Sequence, residues 1–164
     1  MKIQPELDGK LLMFLYRVGR QIYLSKGNKG WRKRRLLVVG GLKWWVVNHT
    51  LNCEVPISCE IGAGTIIDHP DGIIIGPGVV IGKNCRLRHQ VTIGIKGRGN
   101  PKAPILGDHV DIGAGAKLIG PITIGDYTKI GVNAVVNKSF DSGAVLVGIP
   151  AKNINQINEK SIFN

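Results

Sequence analysis

The chain has 164 residues, enough for one domain, and carries 22 Lys/Arg against 11 Asp/Glu for a formal charge of +11. Hydrophobic residues make up 43% of it but aromatics only 5%, so the core has to be built from aliphatic side chains. Residues 1–50 hold 11 Lys/Arg against 2 Asp/Glu, so the excess charge sits at one end, which argues against a whole-surface nucleic-acid binder.

The first ten residues, MKIQPELDGK, are polar and do not read as a secretory leader, and no apolar run reaches the length of a membrane span. A cytoplasmic protein is expected, with the inner face of the membrane as a further possibility. Residues 1–50 are expected to form a basic helical segment. Within LLMFLYRVGRQIYL, the residues Leu11, Leu12, Leu15, Val18, Ile22 and Tyr23 make a helical stripe, which Gly27, Asn28 and Gly30 end. WRKRRLLVVGGLKWWVV follows, a basic cluster joined to an apolar segment that holds Trp31, Trp44 and Trp45. Two roles fit this segment. It caps the open edge of the domain that follows, or it lies on an anionic membrane with its basic residues against the headgroups.

From Val55 an aliphatic residue recurs every six positions, at Ile61 and Ile67, then Ile75, Ile81, Leu87 and Ile93, then Leu106, Ile112, Leu118, Ile124, Ile130 and Val136. Glycine usually follows it. A period of six fits neither an amphipathic helix nor simple strand alternation. It fits a hexapeptide β-helix, in which three hexads make one triangular coil and the repeating residue points into the shaft. About four coils are expected over residues 51–153, stacked at roughly 4.8 Å, the spacing of paired strands, with a tail at 154–164. The fold class is thus an all-β body of hexapeptide repeats behind a short helical segment. Cys53, Cys59 and Cys85 match neither a disulfide framework nor a metal-ligand spacing and read as reduced residues; no metal site is expected.

The rhythm breaks twice. Ile75 comes eight residues after Ile67, making room for Asp68 and His69 ahead of Pro70, Asp71 and Gly72. The second break runs from Gly94 to Ile105. Counting in threes puts Ile67, Leu87, Ile112 and Ile130 in one column, with His69 and His89 stacked one coil apart and Glu54 one coil below His69. His109 falls in another column and reads as surface; His49 reads as a linker residue. Regular hexads are committed to stacking, so function is expected at the breaks.

IIDHPDGIIIG, VTIG with the Gly/Lys-rich loop after it, IGAGAKLIGPITIGDYTKIG and VGIPAK resemble the serine acetyltransferase branch of the hexapeptide-repeat acyltransferases. The resemblance covers residues 50–153. It implies a left-handed parallel β-helix, a homotrimer, and acetyl-CoA bound in clefts between subunits. It also carries the coenzyme contacts onto Gly94, Ala114, Gly115, Lys129 and Val132.

An alcohol attacking a thioester must lose its proton as it does so, and a histidine in reach is the natural base. His69 is assigned as general base and Glu54 as the carboxylate that orients it. Asp68 and His89 are assigned to the acceptor site, and a backbone N–H near the Gly94 loop to the oxyanion. Direct transfer in a ternary complex is expected, because no cysteine or serine sits in a nucleophile context. The serine branch also carries a long helical front domain and an Asp-Arg-His-Pro stretch. Here the front is short and that stretch reads Pro101, Lys102, Ala103, Pro104, without the guanidinium fork that suits a carboxylate. The short basic front end, LRHQVTIG, KAPIL and an acidic residue fifteen before His69 are more similar to the colanic-acid and capsular-polysaccharide O-acetyltransferases, so a sugar hydroxyl in surface-polysaccharide synthesis is the expected acceptor. The alternatives are a serine O-acetyltransferase of cysteine biosynthesis with a reduced front end, and a catalytically silent scaffold.

Overall fold

A computed structural model describes residues 5–25, 29–46, 52–97 and 102–155. Two helices, α1 (Pro5–Leu24) and α2 (Lys29–Val46), precede a left-handed prism of strands two or three residues long. One face stacks β1 (Glu60–Ile61), β4 (Val80–Ile81), β7 (Ile105–Leu106) and β10 (Thr123–Ile124). The second stacks β2 (Ile66–Ile67), β5 (Arg86–Leu87), β8 (Asp111–Ile112), β11 (Lys129–Ile130) and β13 (Val145–Val147), and β14 (Lys152–Asn153) ends it. The third stacks β3 (Ile74–Ile75), β6 (Thr92–Gly94), β9 (Lys117–Ile119) and β12 (Val135–Val136). These pairs are parallel except β13 with β14, which is antiparallel.

The register reproduces the column drawn from the spacing: Ile67 lies on Leu87, Leu87 on Ile112 and Ile112 on Ile130. The repeating residues from Ile67 to Val136 are no more than 3% exposed. A second inward column, two residues before each of them, completes the core with Cys53, Cys59, Ile73, Val79, Cys85, Val91, Val110, Ala116, Ile122 and Ala134. The cysteines are thus buried core residues, and burial pushes the Cys53 and Cys85 thiols up. Where this column carries a hydroxyl, a carbonyl takes it: Thr65 Oγ1 donates to Gly82 O at 3.1 Å and Thr128 Oγ1 to Gly125 O at 2.7 Å. Coils approach closely just past the repeating residue, so a Cβ on Gly82 would lie 2.3 Å from the Gly107 carbonyl oxygen.

α1 closes the lower end of the prism. Leu12, Met13, Leu15 and Tyr16 are buried, and a Cβ on Gly9 would lie 2.0 Å from the Ile67 carbonyl oxygen. The first coil has no coil beneath it to pair with. Tyr16 substitutes by donating its hydroxyl to Cys59 O (2.9 Å) and accepting from Ile61 N–H (3.1 Å), while Arg20 Nη1 donates to Ile57 O (3.0 Å). The expected stripe is thereby divided: Leu12 and Leu15 face the coil, Val18 and Ile22 are flanked by α2, and Leu11 and Tyr23 stay exposed. Of the two roles given to the front segment, which do not exclude each other, α1 fills the cap through Leu12, Met13, Leu15 and Tyr16. Among the described residues no helix is long and apolar enough to cross a membrane. Trp31 on α2 is exposed, and the side chains of Trp44 and Trp45 lie outside the description.

Tyr16→Phe is expected to destabilise the fold by about 1–3 kcal/mol, since two backbone groups lose their partner. A urea-unfolding midpoint equal to that of the parent protein would show the hydroxyl to be idle. Burial pushes the Tyr16 phenol from 10.0 up to about 12, so above pH 10.0 the unfolded chain ionises first. Its contribution is complete below that pH and is lost as the pH rises to about 12, a loss the phenylalanine variant does not share.

Candidate active site

The first break in the rhythm is a two-residue detour at the corner between the second and third faces. Asp68 is still in the ladder, its N–H donating to Leu87 O at 2.8 Å, and the ladder resumes where Gln90 N–H donates to Asp71 O at 2.7 Å. The backbone neighbour below His89 is therefore Asp71, and His69 and Pro70 are the extra residues. Pro70 is buried and anchors the detour, while His69 is exposed with φ +51°. Gln90, His109 and Tyr127 share that left-handed conformation, so it marks His69 as a turn residue of the prism. The His69 and His89 rings do not stack as expected. Their centroids are 6.4 Å apart at 73°, an edge-on approach across the bulge.

Glu54 lies on the first coil below Ile74, its N–H donating to Ile73 O (2.7 Å) and its carbonyl accepting from Ile75 N–H (2.8 Å). Its side chain is exposed, and among the described residues no hydrogen bond joins it to His69. The expected dyad is not closed within one chain; catalytic hydrogen bonds often tighten only when substrate binds. Asp68 is held instead by Arg86, whose Nε donates to Asp68 Oδ2, and this bond with its charge holds the guanidinium above its ordinary pKa. Arg88 and Asp111 pair in the same way one coil up, at 2.6 Å. Arg86 was passed over in the sequence because it precedes a repeating residue, a position that reads as plain solvent face. An acid and a base 18 residues apart, about one coil, was the available signal.

The residues assigned to the coenzyme fall into three places. Ala114 and Val132 continue the corner above His89, linked by Gly115 N–H to His89 O (3.0 Å) and Asn133 N–H to Ala114 O (2.9 Å). Gly115 needs to be glycine: its φ is +73° and a Cβ would lie 2.0 Å from Asn133 Oδ1. Gly94 ends β6 on the far side of the third face, where a Cβ would meet nothing within 4 Å. These four bracket one face of the prism. Lys129 stands apart on the second face, exposed and in register with Asp111 and Val145. Lys117, which the sequence reading did not single out, is the cation on the bracketed face, with Nζ donating to Gln90 O. His109 is exposed and stacked on Tyr127 at 4.7 Å and 3°, away from this corner. His49, Pro101 and the middle of the Gly94 loop lie outside the described residues. Among the described residues no three His, Cys, Asp or Glu side chains converge as metal ligands do.

No protein-family model matches the chain. The chain superposes on the structure of Neisseria gonorrhoeae serine acetyltransferase in complex with serine with a TM-score of 0.73 and 30% identity, covering 88% of this chain and 56% of that one. It is 46% identical over 97 residues to the serine acetyltransferase of Mycobacterium tuberculosis, 58% of this chain and 42% of the relative. It is 38% identical over 123 residues to that of Helicobacter pylori, 74% of this chain and 72% of the relative. The chain belongs to the serine acetyltransferase family. It spans about half the length of several of these relatives. The family assignment overturns the expected sugar acceptor and the role in polysaccharide synthesis, because the relatives are serine acetyltransferases. The resemblance to colanic-acid and capsular enzymes is likewise not supported. The short front end was a misleading cue: 123 residues make up 72% of the Helicobacter pylori protein, so that family member is of comparable length.

Proposed function

We propose that the chain transfers an acetyl group from acetyl-CoA to the hydroxyl of serine. The observation that carries this reading is the detour that lifts His69 out of the coil directly after Asp68, in a chain of the serine acetyltransferase family. Acetyl-CoA supplies the activated acyl group. His69 accepts the serine hydroxyl proton as the oxygen attacks the thioester carbonyl, and the imidazolium returns it to the sulfur as the C–S bond breaks and the thiol departs. Glu54 orients the imidazole and stabilises its cation, while Asp68 and His89 line the acceptor site. Gly94, Ala114 and Gly115 offer backbone with almost no side chain in the way of the pantetheine arm, and Lys117 on the same face offers a cation to the phosphates.

We further infer a homotrimer. The coenzyme residues sit on two edges of one prism, and Glu54 does not reach His69 within a chain; a cleft between neighbours brings one chain's edge against another's face. Ile74, Ile105 and Val132 are exposed aliphatics suited to such contact. The test is thiol release from acetyl-CoA on adding L-serine, using protein whose mass is read by sedimentation. Serine-dependent release by a trimer is expected; no release above the serine-free rate rules the reading out.

A further inference from the structure

Between α1 and the second face lies a cavity of about 280 Å³, lined by Lys10 and Met13 of α1 and by Thr65, Ile66, Asp68 and Arg86 of the prism. It is smaller than the roughly 300–1,000 Å³ of drug-sized pockets, so a small metabolite is the right scale of occupant. Asp68 immediately precedes His69, and adjacent Cα atoms are about 3.8 Å apart. A ligand gripped by Asp68 is therefore held one residue along the chain from the proposed base.

The pair of charges in this cavity is only partly used. Arg86 spends its Nε and Asp68 its Oδ2 on each other, and neither side chain makes another hydrogen bond among the described residues. Two guanidinium nitrogens and one carboxylate oxygen remain, side by side. An α-amino acid presents the complementary pair, a carboxylate and an ammonium on one carbon. Arginine takes a carboxylate in a planar two-pronged contact that lysine cannot make. The loop stretch at 101–104 contains no arginine.

We propose that Arg86 supplies the guanidinium that binds the carboxylate of the acceptor amino acid and so determines specificity, with Asp68 taking the ammonium beside it. This rests on the serine reading above. The prediction is that the enzyme selects for the free carboxylate, preferring L-serine to L-serinamide, and that Arg86 creates the preference.

Steady-state rates on both acceptors, for the full chain and its Arg86→Met, Arg86→Lys and Lys102→Met variants, test it. Arg86→Met is expected to raise the KM for serine roughly 10- to 100-fold, the loss of a charge-assisted contact, with kcat changed far less and the preference over serinamide gone. Arg86→Lys restores part of the affinity, and Lys102→Met leaves KM near the parent value. An unchanged KM in Arg86→Met, or a rise in Lys102→Met instead, overturns the assignment. If Arg86→Met does not fold, Arg86→Lys and the parent's own preference decide, and a parent indifferent to serinamide overturns it. A parent with no serine-dependent turnover overturns the proposed function as well, a result distinct from turnover that ignores Arg86.

Discussion

Replacing His69 by Ala is expected to lower serine-dependent transfer by roughly 10²–10⁴-fold, the usual worth of a general base. The melting temperature and the trimer should be unaffected. The reason is positional: His69 stands on a two-residue detour outside the ladder, exposed, and contributes nothing to the shaft. Glu54→Gln should cost less, because it removes orientation and charge stabilisation but leaves the base in place. Stopped assays of thiol release with both variants check the order. A His69→Ala enzyme at near-parent turnover would move the base elsewhere, and His89, 6.4 Å away ring to ring, would be the next residue to replace.

Ile112→Asp is expected to abolish folding. Ile112 is 0% exposed and sits between Leu87 and Ile130 in the middle of its column. Burying an unpaired carboxylate there costs several kcal/mol beyond the lost apolar contact, against a net stability of about 5–15 kcal/mol for a whole domain. Asp111→Ala, one residue away, should cost no more than about 1 kcal/mol, because the Arg88–Asp111 pair is partly exposed. Solubility on expression and thermal melts separate the two. Soluble, trimeric Ile112→Asp protein would mean that the shaft is not packed as described.

The prism was legible in the sequence because its inward position tolerates one kind of residue. From Ile67 to Val136 every repeating residue is aliphatic and buried, so the six-residue spacing gave coil, column and register together. The second inward column was not legible: Cys59, Thr65, Ala116 and Thr128 share a position but no chemistry. At the site, the break after Ile67 marked the detour, but the extra residues are His69 and Pro70, with Asp68 still in the ladder. Arg86 was invisible for the opposite reason. It lies in a regular hexad, and its meaning depends on which acid the next coil sets beside it. The acceptor was misread on a local argument, the arginine missing from the 101–104 stretch, and the relatives overturn it.

A stack of parallel coils is a polymer that has to be terminated, since its last strands are templates for the strands of another molecule. This chain covers both ends with its own segments: Tyr16 and Arg20 occupy Cys59 O, Ile61 N–H and Ile57 O on the lowest coil, and β14 turns antiparallel onto β13 at the top. Gene duplication can lengthen such a prism one coil at a time, because a new coil meets only its two neighbours. The groups so covered offer no template for a strand of another molecule.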